Sequence, residues 1–195
     1  ASDVFIDIHG GGVNEDLIPF ALFYENPNYP EQTKKARKLT EISGFEYIVS
    51  YPFTLKDNEP AKYVFKQASQ DGKIALSFES GKLGNVQKDA VRFIKNGIYN
   101  MLDHLNMYDN GSEPSANLVQ LNNQTYLSAT ETGLFYSDLK AGDTVKEGNV
   151  VGYTTNEFGE KLKEYKAPTS GIILYKISTP PVNIDDTLMC ISKRL

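Results

Sequence analysis

The chain has 195 residues, of which 40% are hydrophobic and 23% are charged, and its formal net charge is −5. This composition is ordinary for a globular protein of one large or two small domains. The acidic balance argues against a general nucleic-acid or anionic-membrane binder, because both rely on clustered Lys and Arg. The single cysteine, Cys190, cannot form an intramolecular disulfide, so we expect a reducing, cytoplasmic location. No apolar run approaches the roughly 18 residues of a membrane span.

The first hundred residues alternate between strand-like and helix-like segments. Short apolar runs predict strands, and apolar positions at helical spacing predict helices. The predicted strands cover residues 4–8, 18–24, 45–50 and 74–78, and the predicted helices cover residues 29–43, 59–69 and 86–107. Alternation of this kind indicates an α/β layer.

The chain opens inside a strand pattern. Residues 4–8, Val-Phe-Ile-Asp-Ile, come almost at once, with no capping turn before them. Single domains seldom begin in the middle of a sheet, so we hypothesise that the natural protein has further residues before Ala1. The intact mass of the native gene product tests this hypothesis, and a product that begins at Ala1 would contradict it.

The character of the sequence changes after residue 108. Residues 109–123 begin with a polar stretch that contains Gly and Pro and lacks periodicity, which is typical of a linker. From residue 124 onward the segments are short, rich in Thr, Val and Tyr, and separated by turn signals, as in an all-β region. We therefore predict an α/β domain over residues 1–108, a linker over 109–123 and a β domain over 124–195.

The β region contains two related halves. Residues 129–134, Ala-Thr-Glu-Thr-Gly-Leu, match residues 167–172, Ala-Pro-Thr-Ser-Gly-Ile, and residues 145–150 match residues 182–187. The repeat resembles the barrel-sandwich of biotinyl and lipoyl domains, in which two similar β layers close on each other. The glycine shared by the two halves is predicted to shape a turn. The attachment lysine of carrier domains is not evident.

The most informative short motif is Asp-Ile-His-Gly-Gly-Gly at residues 7–12. An apolar strand here ends in a histidine and runs into three glycines. Open α/β sheets bind ligands beyond the carboxyl ends of their strands, so His9 is placed where a metal ligand or an acid-base group would lie. Taken alone, a histidine at a strand end is structural about as often as it is functional.

Glu79 ends a second apolar strand, residues 74–78, and Ser-Gly follows it. A carboxylate directly after a buried strand is costly to bury unless it is paired or functional. If the two strands are neighbours, His9 and Glu79 face one crevice, and Glu79 is suited to take a proton from a metal-bound water. The alternative is a solvated carboxylate at the start of a loop.

These motifs resemble those of the succinylglutamate desuccinylase/aspartoacylase family of zinc hydrolases. The family pattern runs from Asp-x-His-Gly-Gly through an acidic pair to a Pro-Phe strand that ends in Tyr, and the chain has these features at residues 7–11, 15–16 and 19–24. The strand that ends in Glu79 is loosely similar to the family's Leu-Glu-x-Gly segment. A long helix and a β region follow in the family's order, so the chain resembles the C-terminal portion of such a protein.

The resemblance implies both a fold and a chemistry. The implied fold is a partial carboxypeptidase-like α/β domain followed by a small all-β domain of barrel-sandwich type. The family holds zinc through an early His-x-x-Glu motif and a later histidine, which His9 matches. Glu79 matches the catalytic glutamate, which activates the zinc-bound water and protonates the leaving amine. The implied function is a zinc-dependent deacylase that cleaves an N-acyl amide of an amino acid or a similar small amine.

The chain also departs from the family. It has no His-x-x-Glu motif, since its other histidine, His104, is followed by Leu-Asn-Met, and it has no Asn-Arg pair to hold a substrate carboxylate. A catalytic zinc site needs about three protein ligands and an open position. We therefore expect zinc in the complete protein, but weak or no zinc binding and no turnover by residues 1–195 alone. Asp7 lies two residues before His9 and is a candidate partner for the imidazole, or else an ordinary hydrogen-bonded strand residue.

Two alternatives stay open. One is a non-catalytic binding remnant of the same fold, in which His9 is vestigial. The other is a zinc carboxypeptidase that acts on peptides. The expected partner is a small N-acyl amino acid or amine, with no nucleic acid and no membrane, and a homo-oligomer is possible. Tyr24 ends a strand near the predicted crevice, where packing is its expected role.

Overall fold

A computed structural model of the chain describes residues 2–56, 59–109, 111 and 117–195. The helices within these ranges are α1 Pro30–Ile42, α2 Val64–Gln70 and α3 Lys88–His104. The strands are β1 Val4–His9, β2 Glu15–Leu17, β3 Phe20–Glu25, β4 Tyr47–Pro52, β5 Ile74–Glu79, β6 Val119–Ser128, β7 Gly133–Tyr136, β8 Thr144–Val145, β9 Val150–Thr155, β10 Lys161–Lys166, β11 Gly171–Ile177, β12 Pro181–Val182 and β13 Thr187–Arg194. No helix in the described ranges is both long enough and apolar enough to cross a membrane.

Most of the strands join one large mixed sheet. Their order is β1-β5-β3-β4-β6-β13-β11-β2, and β8 pairs with β11. The strand β1 runs parallel to β5, and β4 runs parallel to β3 and β6, whereas β3 is antiparallel to β5. The mixed α/β character predicted from the sequence is therefore confirmed.

The central strand β3 is apolar on both faces because both faces are covered. Its side chains alternate between two cores. Ala21 and Phe23 belong to the core formed with α1 and α3, which we call the helix-side core. Phe20, Leu22 and Tyr24 belong to the core on the opposite face, which also receives residues from α2, β6, β11 and β13. The candidate site lies on this second face.

The β region repeats its own pairing, as the sequence predicts. A second sheet has the order β10-β9-β7-β12. In this sheet Gly133 lies opposite Val182, and in the large sheet Gly171 lies opposite Val145. A Cβ atom on Gly133 or Gly171 would collide with the carbonyl oxygen of a neighbouring strand. Both glycines are therefore required by close backbone contact, and each stands at the first position of a strand.

The large sheet continues through the predicted linker. Residues 119–123 lie in β6, where Val119 pairs with Tyr47 of β4. These residues form part of a strand rather than a loop, because residues 119–121 pair in parallel with β4 and Asn122 pairs with Lys193 of β13. Residues 110 and 112–116 of the predicted linker lie outside the described residues. The division of the chain into two domains at these positions stays a prediction.

The helices differ from their predictions mainly at their ends. The structure begins α2 at Val64 rather than at residue 59, so that boundary is wrong. The preceding backbone uses other partners, since Ala61 N donates to Gln67 Oε1 and Glu59 N donates to Lys56 O. At the other end of the α/β region, α3 stops before Asn106, which adopts a left-handed φ of 55°.

Candidate active site

The candidate site begins where β1 and β5 end side by side. The two strands are parallel and in register, with His9 opposite Glu79. Ile6 and Phe78 pack into the helix-side core. Because side chains alternate along a strand, Asp7, His9 and Glu79 turn to the opposite face. The structure thus brings together the two residues that the sequence singles out.

Short contacts hold the glycine loop after β1 against the loop after β5. Ser80 N donates to His9 O and Gly11 N donates to Gly81 O, each at 3.0 Å. A Cβ atom on Gly11 would lie 2.5 Å from Gly81 O, a spacing that no side chain tolerates. Gly12 N donates to Glu15 Oε2 at 2.8 Å. These contacts fix the end of β1, and therefore His9, relative to Glu79.

A cavity of about 240 Å³ opens beside these strand ends. It lies on the face opposite the helix-side core and receives side chains from β1 to β6, from β11 and from the start of α2. The lining consists of His9, Glu15, Leu17, Phe20, Leu22, Tyr24, Tyr51, Tyr63, Phe65, Glu79, Tyr126 and Tyr175. Both predicted site residues therefore share one cavity with a set of aromatic side chains.

Glu79 has an unusual protonation equilibrium. The pKa of Glu79 is raised to about 7, chiefly by burial, and His9 opposes this shift while the negative charges of Glu15 and Asp7 add to it. A carboxyl group with a pKa near neutral pH can both accept and return a proton. The environment of Glu79 therefore suits general acid-base chemistry.

His9 is partly exposed and is held by a carboxylate. Its Nε2 lies 3.2 Å from Asp7 Oδ2, the contact expected if Asp7 orients the imidazole. Within the part of the chain that the structure describes, no three His, Cys, Asp or Glu side chains converge into a group that could hold a metal. These residues alone therefore do not fit a complete zinc site, which needs about three protein ligands.

Comparison with known proteins shows what the chain is similar to. No protein-family model matches the chain. The chain is 28% identical, over 98% of its own length, to the N-alpha-acetyl-L-2,4-diaminobutyric acid deacetylase of Halomonas elongata. A succinylglutamate desuccinylase structure from Silicibacter sp. matches the whole chain with a TM-score of 0.85 and 23% identity. The product-bound ectoine utilization protein EutE (DoeB) from Ruegeria pomeroyi matches 98% of it with a TM-score of 0.85 and 20% identity.

The chain is similar to proteins of the succinylglutamate desuccinylase/aspartoacylase family. The resemblance predicted from residues 7–24 and Glu79 is confirmed, and the solved structures show that the fold is shared. The chain spans 56% of the length of the Halomonas relative and about 60% of the matched structures. The catalytic and metal-binding roles of Glu79 and His9 stay predictions.

Glu15 lies in the candidate site although the sequence does not single it out. In the sequence, Glu15 and Asp16 stand out only as an acidic pair. The structure places them in the short strand β2, which pairs with the distant strand β11. Glu15 lines the cavity, and Asp16 Oδ1 and Oδ2 accept hydrogen bonds from Lys82 Nζ at 2.9 Å and Ala141 N at 3.0 Å. Burial tends to raise the pKa of Asp16, but these hydrogen bonds and the charge of Lys82 lower it overall.

The aromatic lining, apart from Tyr24, is likewise not predicted by the sequence. Tyr24 packs as expected, with its ring stacked on Phe65 at a centroid distance of 4.9 Å, and it also lines the cavity. Tyr51, Tyr126 and Tyr175 come from β4, β6 and β11 and line the cavity together. The alternation of large apolar side chains along β3 could have predicted the cavity wall that this strand forms. The walls formed by other elements depend on the order of the strands in the sheet, which the sequence does not show.

Proposed function

We propose that the chain carries part of the active site of an amide hydrolase, a zinc-dependent deacylase that removes an N-acyl group from an amino acid or a similar small amine. In this proposal Glu79 is the general acid-base group and His9 is one zinc ligand. The observation that carries the proposal is the pairing of His9 with Glu79 at the mouth of a cavity where the pKa of Glu79 is about 7.

The chemistry assigned to this chain is a proton transfer. Glu79 accepts a proton from the attacking water and returns it to the nitrogen of the leaving amine. Its raised pKa supports both halves of the cycle, because neither protonation state is strongly favoured near neutral pH. The contact between Asp7 and His9 holds the imidazole beside this carboxyl group. A zinc ion would need about two further protein ligands that the described residues do not supply.

The names of the similar proteins support hydrolysis of an amide. The Halomonas relative is named as a deacetylase of an N-acetylated diamino acid, and several matched structures are named as succinylglutamate desuccinylases. We infer a small N-acyl amino acid or amine as the substrate class for this protein as well. A cytoplasmic location and a homo-oligomeric state stay predictions.

A second function, a non-catalytic binding module, is favoured by a single observation. The described residues lack a three-ligand metal group. The two functions differ in what the complete gene product does with metal and substrate. A deacylase binds zinc in a 1:1 ratio and releases acyl groups, whereas a binding module does neither.

The test uses the complete gene product loaded with zinc. Release of acetate or succinate from N-acyl amino acids should fall by about 10² to 10⁴ in Glu79→Gln, because the proton-transfer group is removed. The matched control is Glu157→Gln, which changes an exposed carboxylate in the turn between β9 and β10. A complete gene product that neither binds zinc nor releases acyl groups would contradict the deacylase proposal. Full activity in Glu79→Gln would contradict it as well.

A further inference from the structure

The loop that follows Glu79, residues 80–87, has an unusual backbone. Gly81, Leu83 and Gly84 all adopt a left-handed φ, at 105°, 57° and 60°. Leu83 is the costly member of the three, because a residue with a Cβ atom rarely adopts this conformation. Such a backbone persists only where contacts with the surrounding structure hold it in place. The position of Glu79 at the start of the loop therefore depends on those contacts.

Two of these contacts come from the strand β2. Lys82 Nζ donates to Asp16 Oδ1 at 2.9 Å. The backbone N–H of the next residue, Leu83, donates to Glu15 O at the same distance. Two consecutive residues of the loop are thus joined to two consecutive residues of the strand. The side chain of Asp16 is only 14% exposed, and a partly buried ion pair is screened less by water and salt than one on the surface.

The same carboxylate also contacts the β region. Its second oxygen, Asp16 Oδ2, accepts a hydrogen bond from Ala141 N at 3.0 Å. Lys176 of β11 is buried and lies opposite Asp16 in the pairing of β2 with β11, which places a positive charge beside the carboxylate. Three segments that are far apart in the sequence therefore supply a donor or a positive charge to one side chain.

The loop in turn is bonded to the end of β1. Ser80 N donates to His9 O at 3.0 Å. One residue further along, Gly81 O accepts a hydrogen bond from Gly11 N at the same distance. Contacts therefore run from the β region through Asp16 and the loop to the paired ends of β1 and β5. Asp16 is not one of the described residues that line the cavity, so any effect it has on the chemistry passes through other residues.

We propose that Asp16 is a positioning residue of the candidate active site, which ties the loop after Glu79 to the β region and so fixes the place of Glu79. The inference rests on the proposed function and adds to it a residue that acts through its neighbours. Misplacement of a reacting group by about 1 Å can cost about 10²-fold in rate. A remote contact that fixes this placement therefore contributes to turnover, and the β region serves the chemistry as well as the fold.

The first test measures hydrogen exchange at the loop. Asp16→Asn keeps the shape of the side chain but removes its charge, so the ion pair is lost. By NMR of the complete gene product without zinc, we expect the Leu83 and Gly11 amides to exchange about three- to tenfold faster than in the wild type. The Gly148 amide, which is hydrogen-bonded within the β region, should exchange at an unchanged rate. A general loss of stability would not single out the two loop amides.

Two further variants keep this test decisive if Asp16→Asn folds poorly. Lys82→Met removes the same ion pair from its more exposed side and should accelerate the same two amides. The double variant should exchange about as fast as the single variants, because both substitutions remove one contact. Glu164→Gln is the matched control, since Lys161 Nζ donates to Glu164 Oε2 at 2.7 Å in the second sheet. It should change neither amide.

The second test is kinetic and uses the complete gene product loaded with zinc. For release of acyl groups from N-acyl amino acids, kcat should fall about tenfold in Asp16→Asn and in Lys82→Met. KM should change by less than about twofold, because neither side chain lines the cavity. Lys82→Arg keeps the charge and should restore most of kcat, whereas Glu164→Gln should leave both constants unchanged.

Unchanged exchange at Leu83 and Gly11 in both single variants would overturn the inference, and so would a loss of activity that appears only in KM. The exchange measurement needs neither metal nor turnover. Faster loop exchange in a gene product that hydrolyses no amide would contradict the proposed function alone. A normal kcat for Asp16→Asn in an active gene product would contradict this inference alone.

Discussion

The repeated β region and the strand-end site differ in how their polar side chains are satisfied. In the β region, equivalent turns are closed by equivalent hydrogen bonds: Lys146 N donates to Asn149 Oδ1 at 3.0 Å, and Asn183 N donates to Asp186 Oδ2 at 2.7 Å. In the site, by contrast, Glu79 is half-buried and forms no salt bridge with any described Lys or Arg.

The raised pKa of Glu79 indicates that the site is less stable than it would be without this carboxyl group. Side chains in the β turns satisfy nearby backbone groups, and the repeat needs nothing else to specify it. A buried carboxyl group with a raised pKa destabilises the folded state once it ionises. Such a group is retained where its proton is useful, so the two regions should respond in opposite ways to substitution.

The largest effect on stability is expected in the β region. A Cβ atom on Gly171 would collide with the carbonyl oxygen of Ser192, which is backbone and cannot move aside easily. We expect Gly171→Ala to lower the free energy of unfolding by about 3 kcal/mol, as measured by urea denaturation. Gly148→Ala is the control, because Gly148 has open space around it and only a left-handed φ of 82°. It should cost about 1 kcal/mol, and equal losses would contradict the close-contact explanation.

A substitution in the site should have the opposite sign. Burial raises the folded-state pKa of Glu79 to about 7 from an ordinary value of 4.5. Stability linked to this group is therefore complete below about pH 4.5 and is lost as the pH rises through 7. Glu79→Gln should increase the free energy of unfolding at pH 8 by on the order of 2 kcal/mol.

The same Glu79→Gln comparison at pH 4 should show little difference, because the wild-type carboxyl group is then protonated in both states. Thermal denaturation of metal-free protein at the two pH values measures both quantities. A variant that is less stable than the wild type at pH 8 would show that ionised Glu79 stabilises the fold and would contradict the account.

The smallest of these effects concerns Asp16, which links the site to the β region. Its carboxylate accepts hydrogen bonds from Lys82 and from the backbone of Ala141. Asp16→Asn should lower the free energy of unfolding by about 1 kcal/mol at neutral pH, since a charge-assisted hydrogen bond becomes a neutral one. The difference from the wild type should shrink as the pH falls through the lowered pKa of Asp16. A loss that is the same at pH 2 and pH 7 would exclude the ionised form as its source.

The sequence predicts most elements because their signals are local. Apolar runs locate β1 and β5, and the repeat of residues 129–134 in residues 167–172 anticipates the equivalent pairings of β7 and β11. The position of His9 and Glu79 at the ends of apolar strands is enough to select both as candidate site residues. Each of these inferences uses a segment of ten residues or fewer.

The missed features depend on pairing between distant segments. The three residues of β2 have no periodic signal, and they form a strand only because β11 offers them an edge more than 150 positions later. Glu15 therefore could not be assigned to the site. The three tyrosines of the cavity were missed for the same reason. Tyr51, Tyr126 and Tyr175 lie close together only because of the strand order of the large sheet. The parallel pairing of β4 with β6 likewise carries the sheet through residues predicted to be a linker.

The cavity at the ends of β1 and β5 prepares Glu79 for acid-base chemistry by raising its pKa. A ¹³C NMR titration of the Glu79 side-chain carboxyl in metal-free protein, assigned by its absence in Glu79→Gln, measures this pKa. We expect a midpoint near pH 7, which should fall in Glu15→Gln because one repelling charge is removed. A midpoint near the ordinary value of 4.5 would contradict the claim.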